Sequence, residues 1–131
     1  TNEKFQSLVK NDSFYEYCKI FGNFYGSSRS SVNEITDHGL NVLFDIDWQG
    51  SQQLRKFKEL NLVTIFILPP SKAELEKRLI ARNQDQKASI QKRLLAYTED
   101  IKHSKEYDHV LVNDNVEDCY NEIKKIISKS T

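Results

Sequence analysis

The stretch that most constrains this chain is residues 42–50, with the sequence Val-Leu-Phe-Asp-Ile-Asp-Trp-Gln-Gly. Residues 42–46 are typical of a buried β-strand, and a helical pattern begins at Trp48 or the residue after it. Alternation along a strand places Asp45 and Asp47 on the same side, where two carboxylates are costly unless a cation or hydrogen-bond donors meet them. In open α/β sheets, ligands bind at the carboxyl ends of strands. The stretch predicts either such a site or an edge strand with two solvated acids.

The residues after this stretch predict an α/β fold. The helix, amphipathic through Leu54 and Phe57, leads to the apolar run 63–68, which is expected of a parallel strand covered on both faces. The order strand, helix, strand predicts a right-handed βαβ crossover. Pro69-Pro70 ends the second strand.

Three helices and one more strand are predicted in the rest of the chain. Residues 71–74 form a capping box that opens the first helix. The polar residues 83–85 separate it from a second helix with apolar residues at helical spacing. A strand over residues 109–112 and a helix from Val116 end the chain.

An antiparallel hairpin is predicted near the beginning. After a short helix over residues 3–10, residues 14–21 and 24–25 are aromatic and β-like, and Gly22-Asn23 joins them tightly. Glu16 lies among these aromatic residues, where a carboxylate needs either a specific donor or solvent.

A further helix is predicted between the hairpin and residues 42–50. Val32 and Ile35 have helical spacing, and Gly39 is placed as a C-terminal stop. Either Ser27 or Ser28 could be its N-cap.

Composition excludes several function classes. Lysine plus arginine number 19 and aspartate plus glutamate 19, so no sequence-wide basic field indicates nucleic acid as a partner. No apolar run approaches a membrane span, and we expect no membrane partner. Cys18 and Cys119 lie far apart without metal-type spacing and are predicted to be reduced, semi-buried thiols of a cytoplasmic protein.

Five blocks, in order and at family-like spacing, resemble the guanylate kinases. They are residues 22–27, 45–50, 67–71 with Arg78 and Arg82, 92–94 and 112–114. The resemblance implies a P-loop kinase-like parallel sheet with helices on both faces, plus a small antiparallel GMP-binding hairpin region and a helical lid. The GMP-binding remainder would be residues 1–38, the α/β core residues 39–70 and 107–131, and the lid with its flanking helices residues 71–106.

The resemblance implies a GMP (or dGMP) pocket made by Glu16, Tyr25, Ser27 and Asp47. Guanine presents two donors along its Watson–Crick edge, so a carboxylate suits it and discriminates against AMP. Tyr25 would donate to the GMP phosphate. Asp45 would face the reaction centre and meet Mg²⁺ through bound water rather than as a direct ligand.

ATP contacts and catalysis are implied for Arg78, Arg82 and Arg93, as lid arginines that close on the phosphates. Phosphoryl transfer depends on neutralising charge on the transferred oxygens, and a guanidinium stays ionised while it holds two of them. Asn113 resembles the loop that contacts adenine. Asp114, beside it, could simply be a helix cap.

The family's phosphate loop, G-x-x-x-x-G-K-[ST], does not occur among these 131 residues, which contain four glycines. We therefore expect the chain to represent the C-terminal three-quarters or so of a guanylate kinase, inactive or nearly so by itself. Alanine at position 81 and asparagine at position 83 flank Arg82 where the family commonly has glycines, which is expected to alter how the lid closes.

Two other readings remain open at this point. One is a guanylate-kinase-like module that binds protein ligands through the same cleft. The other is a kinase for AMP or a pyrimidine nucleotide, against which Glu16 and Ser27 argue. A homo-oligomer is expected only by analogy with bacterial family members.

Overall fold

A computed structural model describes residues 1–82 and 86–130. It divides into two compact units, Thr1–Leu62 and Val63–Thr131. The described residues form six α-helices, one 3₁₀ helix and four strands in two small sheets, so the predicted α/β class is confirmed.

The first unit contains the predicted helix, hairpin and two further helices. Their bounds are α1 (Asn2–Lys10), β1 (Phe14–Ile20), β2 (Asn23–Ser28), α2 (Arg29–Asp37) and α3 (Trp48–Leu54). The hairpin turn consists of Phe21 and Gly22, both with positive φ (48° and 87°), which is the two-residue turn whose twist suits antiparallel strands. The turn therefore lies one residue earlier than predicted.

A β-bulge at Tyr15 changes which side chains of β1 are buried. Phe14 pairs with Ser28, but Glu16 already pairs with Ser27, so one residue of β1 has no partner on β2. A bulge of this kind interrupts the alternation of side chains. Tyr15 and Glu16 are consequently both buried.

The predicted strand over residues 42–46 is wrong. Within the described parts of the chain these residues pair with no other strand. An extended segment needs a hydrogen-bonded neighbour to become part of a sheet. Its alternation nevertheless remains, because Val42, Phe44 and Ile46 pack on the core of the first unit while Leu43 and Asp45 are exposed.

The core of the first unit centres on Tyr15, Val32 and Leu54. These come from β1, α2 and α3, so burial of apolar surface holds the hairpin and both helices together. The core thus fixes the elements that carry the predicted GMP-binding residues.

The second unit contains a parallel pair of strands and three α-helices. Their bounds are β3 (Ile65–Leu68), α4 (Lys72–Ala81), α5 (Lys87–Asp100), the 3₁₀ helix (Ile101–Glu106), β4 (His109–Val112) and α6 (Val116–Ser130). β3 pairs with β4 in parallel, from Ile65 opposite His109 onward. The observed parallel crossover therefore joins β3 to β4. The predicted crossover from residues 42–46 to residues 63–68 is wrong, because residues 42–46 form no strand.

Side chains at the entry to these strands hold their register. The Asp108 carboxylate accepts from the Thr64 backbone N–H at 2.8 Å and from the Thr64 hydroxyl at 3.0 Å. The Thr64 hydroxyl in turn accepts from the Asp108 N–H at 2.9 Å. The two strands are therefore joined immediately before their ladder begins.

The helix caps of the second unit are mostly as predicted. Ser71 Oγ accepts from the Glu74 N–H at 3.1 Å, which confirms the cap of α4. The Glu74 carboxylate binds Arg78, so the reciprocal half of the capping box is replaced by an ion pair. At α6, Asn115 rather than Asp114 accepts from the Asp118 N–H, at 3.1 Å. The predicted break at residues 83–85 lies outside the described residues.

Both cysteines are free, as predicted, and they are buried rather than semi-buried. Burial raises the pKa of the Cys18 thiol to about 11, and the nearby charges of Asp47 and Glu16 add to the shift. Among the described residues, no helix has the length and apolar character needed to cross a bilayer.

Candidate functional site

Glu16 is the centre of the candidate site in the first unit. Only 2% of this residue is exposed. One carboxylate oxygen, Oε1, accepts from the Ser27 hydroxyl at 2.6 Å. The other, Oε2, is buried and has no hydrogen-bond partner among the described residues. A buried acceptor without a donor is costly, and a ligand that supplies the donor removes that cost.

The environment of Glu16 opposes its ionisation. Burial raises the pKa of Glu16 above its ordinary value of 4.5. The Ser27 hydrogen bond lowers this pKa, and the charge on Asp47 raises it. The net direction of the pKa is upward, so burial disfavours the charged form of Glu16 more than the Ser27 hydrogen bond favours it.

Gly50 makes room for this carboxylate. A Cβ atom at position 50 would lie 2.7 Å from Glu16 Oε2 and 3.1 Å from Ile46 Cδ1. Gly50 is the third residue of α3, where any other side chain would displace the carboxylate. No local sequence pattern indicates this role of Gly50, because the contact joins residues far apart in the chain.

Asp47 is close to Glu16 and is also the N-cap of α3. Its Oδ1 accepts from the Gly50 N–H at 3.1 Å, and its Oδ2 accepts from the Gln49 side chain at 2.9 Å. A carboxylate oxygen has two lone pairs, so both oxygens retain capacity for a further donor. The capping role and a ligand role are therefore compatible.

Ser27 and Ser28 divide the two roles that the sequence left open. Ser28 is the N-cap of α2, and its hydroxyl accepts from the Ser31 N–H at 3.4 Å. Ser27 instead binds Glu16.

Asp45 and Tyr25 are exposed residues of the same unit. Tyr25 lies on β2 opposite Cys18, and 52% of it is exposed. The Asp45 side chain is exposed, and within the described parts of the chain it makes no hydrogen bond or ion pair. Both side chains are therefore available to a ligand.

In the second unit the structure brings Arg78 to the loop after β4. Arg78 donates to the Asn113 carbonyl at 2.7 Å, to the Asp114 carbonyl at 3.3 Å and to Glu74 Oε1 at 3.0 Å. A guanidinium has five N–H donors, so two remain for a phosphate. Arg78 thus holds the predicted adenine-contacting loop on α4.

Asn113 itself has an unused acceptor. Its Oδ1 is buried and has no hydrogen-bond partner among the described residues. Its backbone N–H donates to the Leu68 carbonyl at 2.7 Å, which extends the contacts between the two strands. The asparagine is therefore fixed by its backbone while its side-chain oxygen can accept from a ligand.

The other two predicted arginines lie on the helices of the same unit. Arg82 is the C-cap of α4 and is exposed, and Arg93 lies within α5 with its side chain half-buried. Their predicted contacts with ATP phosphates stay a prediction.

Comparisons with known proteins agree with the motifs. The model of the family described as "Guanylate kinase" matches residues 1–130. The chain is 45% identical to a guanylate kinase of Haemophilus influenzae (strain 86-028NP), over 97% of this chain and 61% of that protein. It is 47% identical to a guanylate kinase of Pasteurella multocida (strain Pm70), over 95% of this chain and 60% of that protein.

A solved structure has the same fold. The crystal structure of guanylate kinase from Anaplasma phagocytophilum matches with a TM-score of 0.78 at 33% identity, over 97% of this chain and 61% of that one. The chain thus spans about three fifths of the length of these relatives, less than the three-quarters expected from the motifs. With a family model that matches nearly every residue, the chain belongs to the guanylate kinase family.

Proposed function

We propose that the protein transfers the γ-phosphoryl group of ATP to GMP or dGMP, giving ADP and the nucleoside diphosphate. The observation that carries this proposal is the buried Glu16 carboxylate, with Oε1 bound to Ser27 and Oε2 without a partner among the described residues. Family membership supports the same reaction.

The chemistry of guanine explains the arrangement around Glu16. Guanine offers an N1–H and an exocyclic NH₂, and the partnerless Oε2 can accept from one of them. Adenine has an acceptor at N1, which would face this carboxylate and leave it unsatisfied. The site therefore selects guanine because adenine would leave the buried Glu16 carboxylate without a hydrogen-bond donor.

The phosphates require positive charge and hydrogen-bond donors. We assign the exposed hydroxyl of Tyr25 to the GMP phosphate, and Arg78, Arg82 and Arg93 to the phosphates of ATP. Arginines at such positions stabilise charge that develops on the transferred group. The Asn113 side chain, with its free Oδ1, is assigned to adenine, whose exocyclic amine is a donor.

The residues also fit a magnesium ion that arrives with ATP. In kinases Mg²⁺ keeps several waters and binds through one or two carboxylates together with phosphates. The exposed Asp45 carboxylate suits this role through a metal-bound water. No cluster of three or more His, Cys, Asp or Glu side chains that could hold a metal occurs in residues 1–82 and 86–130. Bound Mg²⁺ would neutralise charge on the phosphates.

Nucleotide calorimetry on the full-length protein tests the proposal. GMP is expected to bind about 5- to 150-fold more tightly than AMP or UMP, since an unpaired buried carboxylate costs about 1–3 kcal/mol. Equal or absent binding of the three nucleotides would contradict it, and absent binding would favour the protein-binding module.

An ADP-release assay tests the contribution of the phosphate loop. Residues 1–131 contain no G-x-x-x-x-G-K-[ST] motif, so this polypeptide alone is expected to show little or no turnover with GMP and ATP. The full-length protein under the same conditions is the control.

A further inference from the structure

The side chain of Gln53 pairs with the backbone of β1. Gln53 Oε1 accepts from the Tyr17 N–H at 3.0 Å, and Gln53 Nε2 donates to the Tyr17 carbonyl at 2.6 Å. A carboxamide bound in this way uses the same donor and acceptor as a neighbouring strand would. It therefore occupies the edge of β1 that β2 leaves open.

This pairing lies beside the guanine-binding carboxylate. Tyr17 directly follows Glu16, and Gln53 is three residues from Gly50 on the same helix, so both face β1 from one side of α3. Gly50 allows the Glu16 carboxylate to approach α3. Gln53 holds the backbone of Tyr17, the next residue, against the same helix.

Glu16 needs such support because the strand is irregular on its other side. The bulge leaves Tyr15 without a partner on β2. The bulge therefore interrupts the ladder at the residue before Glu16. The two bonds from Gln53 supply an attachment at the residue after it.

We propose that Gln53 is a positioning residue for GMP recognition: its carboxamide holds Tyr17 so that the Glu16 carboxylate stays at the place where guanine meets it. This inference rests on the proposed function. Gln53 acts on the backbone, so its effect does not depend on the Tyr17 side chain, which is exposed.

The test compares Gln53→Leu and Gln53→Glu with the wild type in the full-length protein. Leucine removes both hydrogen bonds at similar size. Glutamate keeps the length but, when ionised, repels the Tyr17 carbonyl and has no donor for it. Gln6→Leu, at an exposed position of α1, is the matched control.

Four measurements are needed: Kd for GMP by calorimetry, KM for GMP and for ATP, the melting temperature, and hydrogen exchange of the Tyr17 amide. We expect both Gln53 variants to bind GMP about five- to tenfold more weakly than the wild type. This corresponds to a loss of binding free energy about equal to the net contribution of one hydrogen bond. KM for ATP should stay within twofold, and the Tyr17 amide should exchange faster in Gln53→Leu. Gln6→Leu should match the wild type throughout.

The outcomes separate this inference from the proposed function. A wild-type protein that fails to bind GMP overturns both. Wild-type binding with GMP affinity unchanged in both Gln53 variants overturns the positioning role alone, as does an unchanged exchange rate at Tyr17. A lower melting temperature with unchanged KM for GMP would show a purely structural role and also overturn it. If Gln53→Leu does not fold, Gln53→Glu decides the result.

Discussion

Replacing Gly50 by alanine should separate GMP recognition from stability. The new Cβ would lie 2.7 Å from Glu16 Oε2, whereas ordinary contact begins at 3.4 Å, so the carboxylate must move by about 0.7 Å. Such a shift disturbs the 2.6 Å hydrogen bond from Ser27. Alanine is better than glycine within a helix by up to about 1 kcal/mol, which offsets much of the cost.

The expected result is a change of less than about 1 kcal/mol in the free energy of unfolding, measured with urea. Binding of GMP should weaken about ten- to a hundredfold, since a hydrogen bond to a charged group contributes about 1.5–3 kcal/mol. Calorimetry with GMP measures this directly. Ser31→Ala, at an exposed position of α2, is the control for an alanine substitution in a helix of the same unit.

Unchanged GMP affinity in Gly50→Ala would contradict this prediction, because GMP binding would then not depend on the observed position of the Glu16 carboxylate. A loss of several kcal/mol in the free energy of unfolding would contradict the expectation that the Glu16 carboxylate moves away from the new Cβ atom. It would mean that the close contact between Gly50 and Glu16 is needed for the fold.

Three further substitutions test the candidate sites of the two units. Because burial raises the folded-state pKa of Glu16, its contribution to stability is present at acid pH and is lost as pH rises through that pKa. Glu16→Gln should therefore have a higher free energy of unfolding in urea than the wild type at pH 7 while losing GMP selectivity, and equal stability would contradict this. The Ser27 hydrogen bond lowers the pKa of Glu16, so in Ser27→Ala the carboxylate should be protonated at higher pH. On acidification this variant should therefore lose GMP affinity at higher pH than the wild type. Calorimetry across pH measures this, and a pH profile identical to that of the wild type would contradict it. Arg78→Met removes the hydrogen bonds to the carbonyls of Asn113 and Asp114 in the loop after β4. It should raise KM for ATP several-fold and lower the free energy of unfolding, measured with urea, by about 1–2 kcal/mol. Wild-type kinetics would show that the loop does not depend on these hydrogen bonds.

Features that depend on neighbouring residues in sequence were predicted well. Local patterns predict the hairpin, the cap of α4 at Ser71, the strands β3 and β4, and the closing helix. Residues 42–46 show the limit of this reasoning. Their side chains alternate as in a strand, but strand formation requires a partner, which no pattern within the segment supplies.

The chemical character of the candidate site was visible in the sequence. A carboxylate among aromatic residues at Glu16, together with the motif over residues 45–50, indicated a guanine-binding pocket once the family resemblance was considered. What the residue types could not indicate was which oxygen of Glu16 is engaged and which is left for a ligand.

Periodicity, capping and motifs in the sequence indicate the order of elements, the α/β class and the residue types of the candidate site in each unit. The direction in which the Glu16 carboxylate points depends instead on the folded chain. The bulge at Tyr15, the approach permitted by Gly50 and the pairing of Gln53 with Tyr17 join residues that are distant in the chain. Such contacts arise when the core packs β1 against α3, so their effect on the carboxylate appears only in the folded molecule.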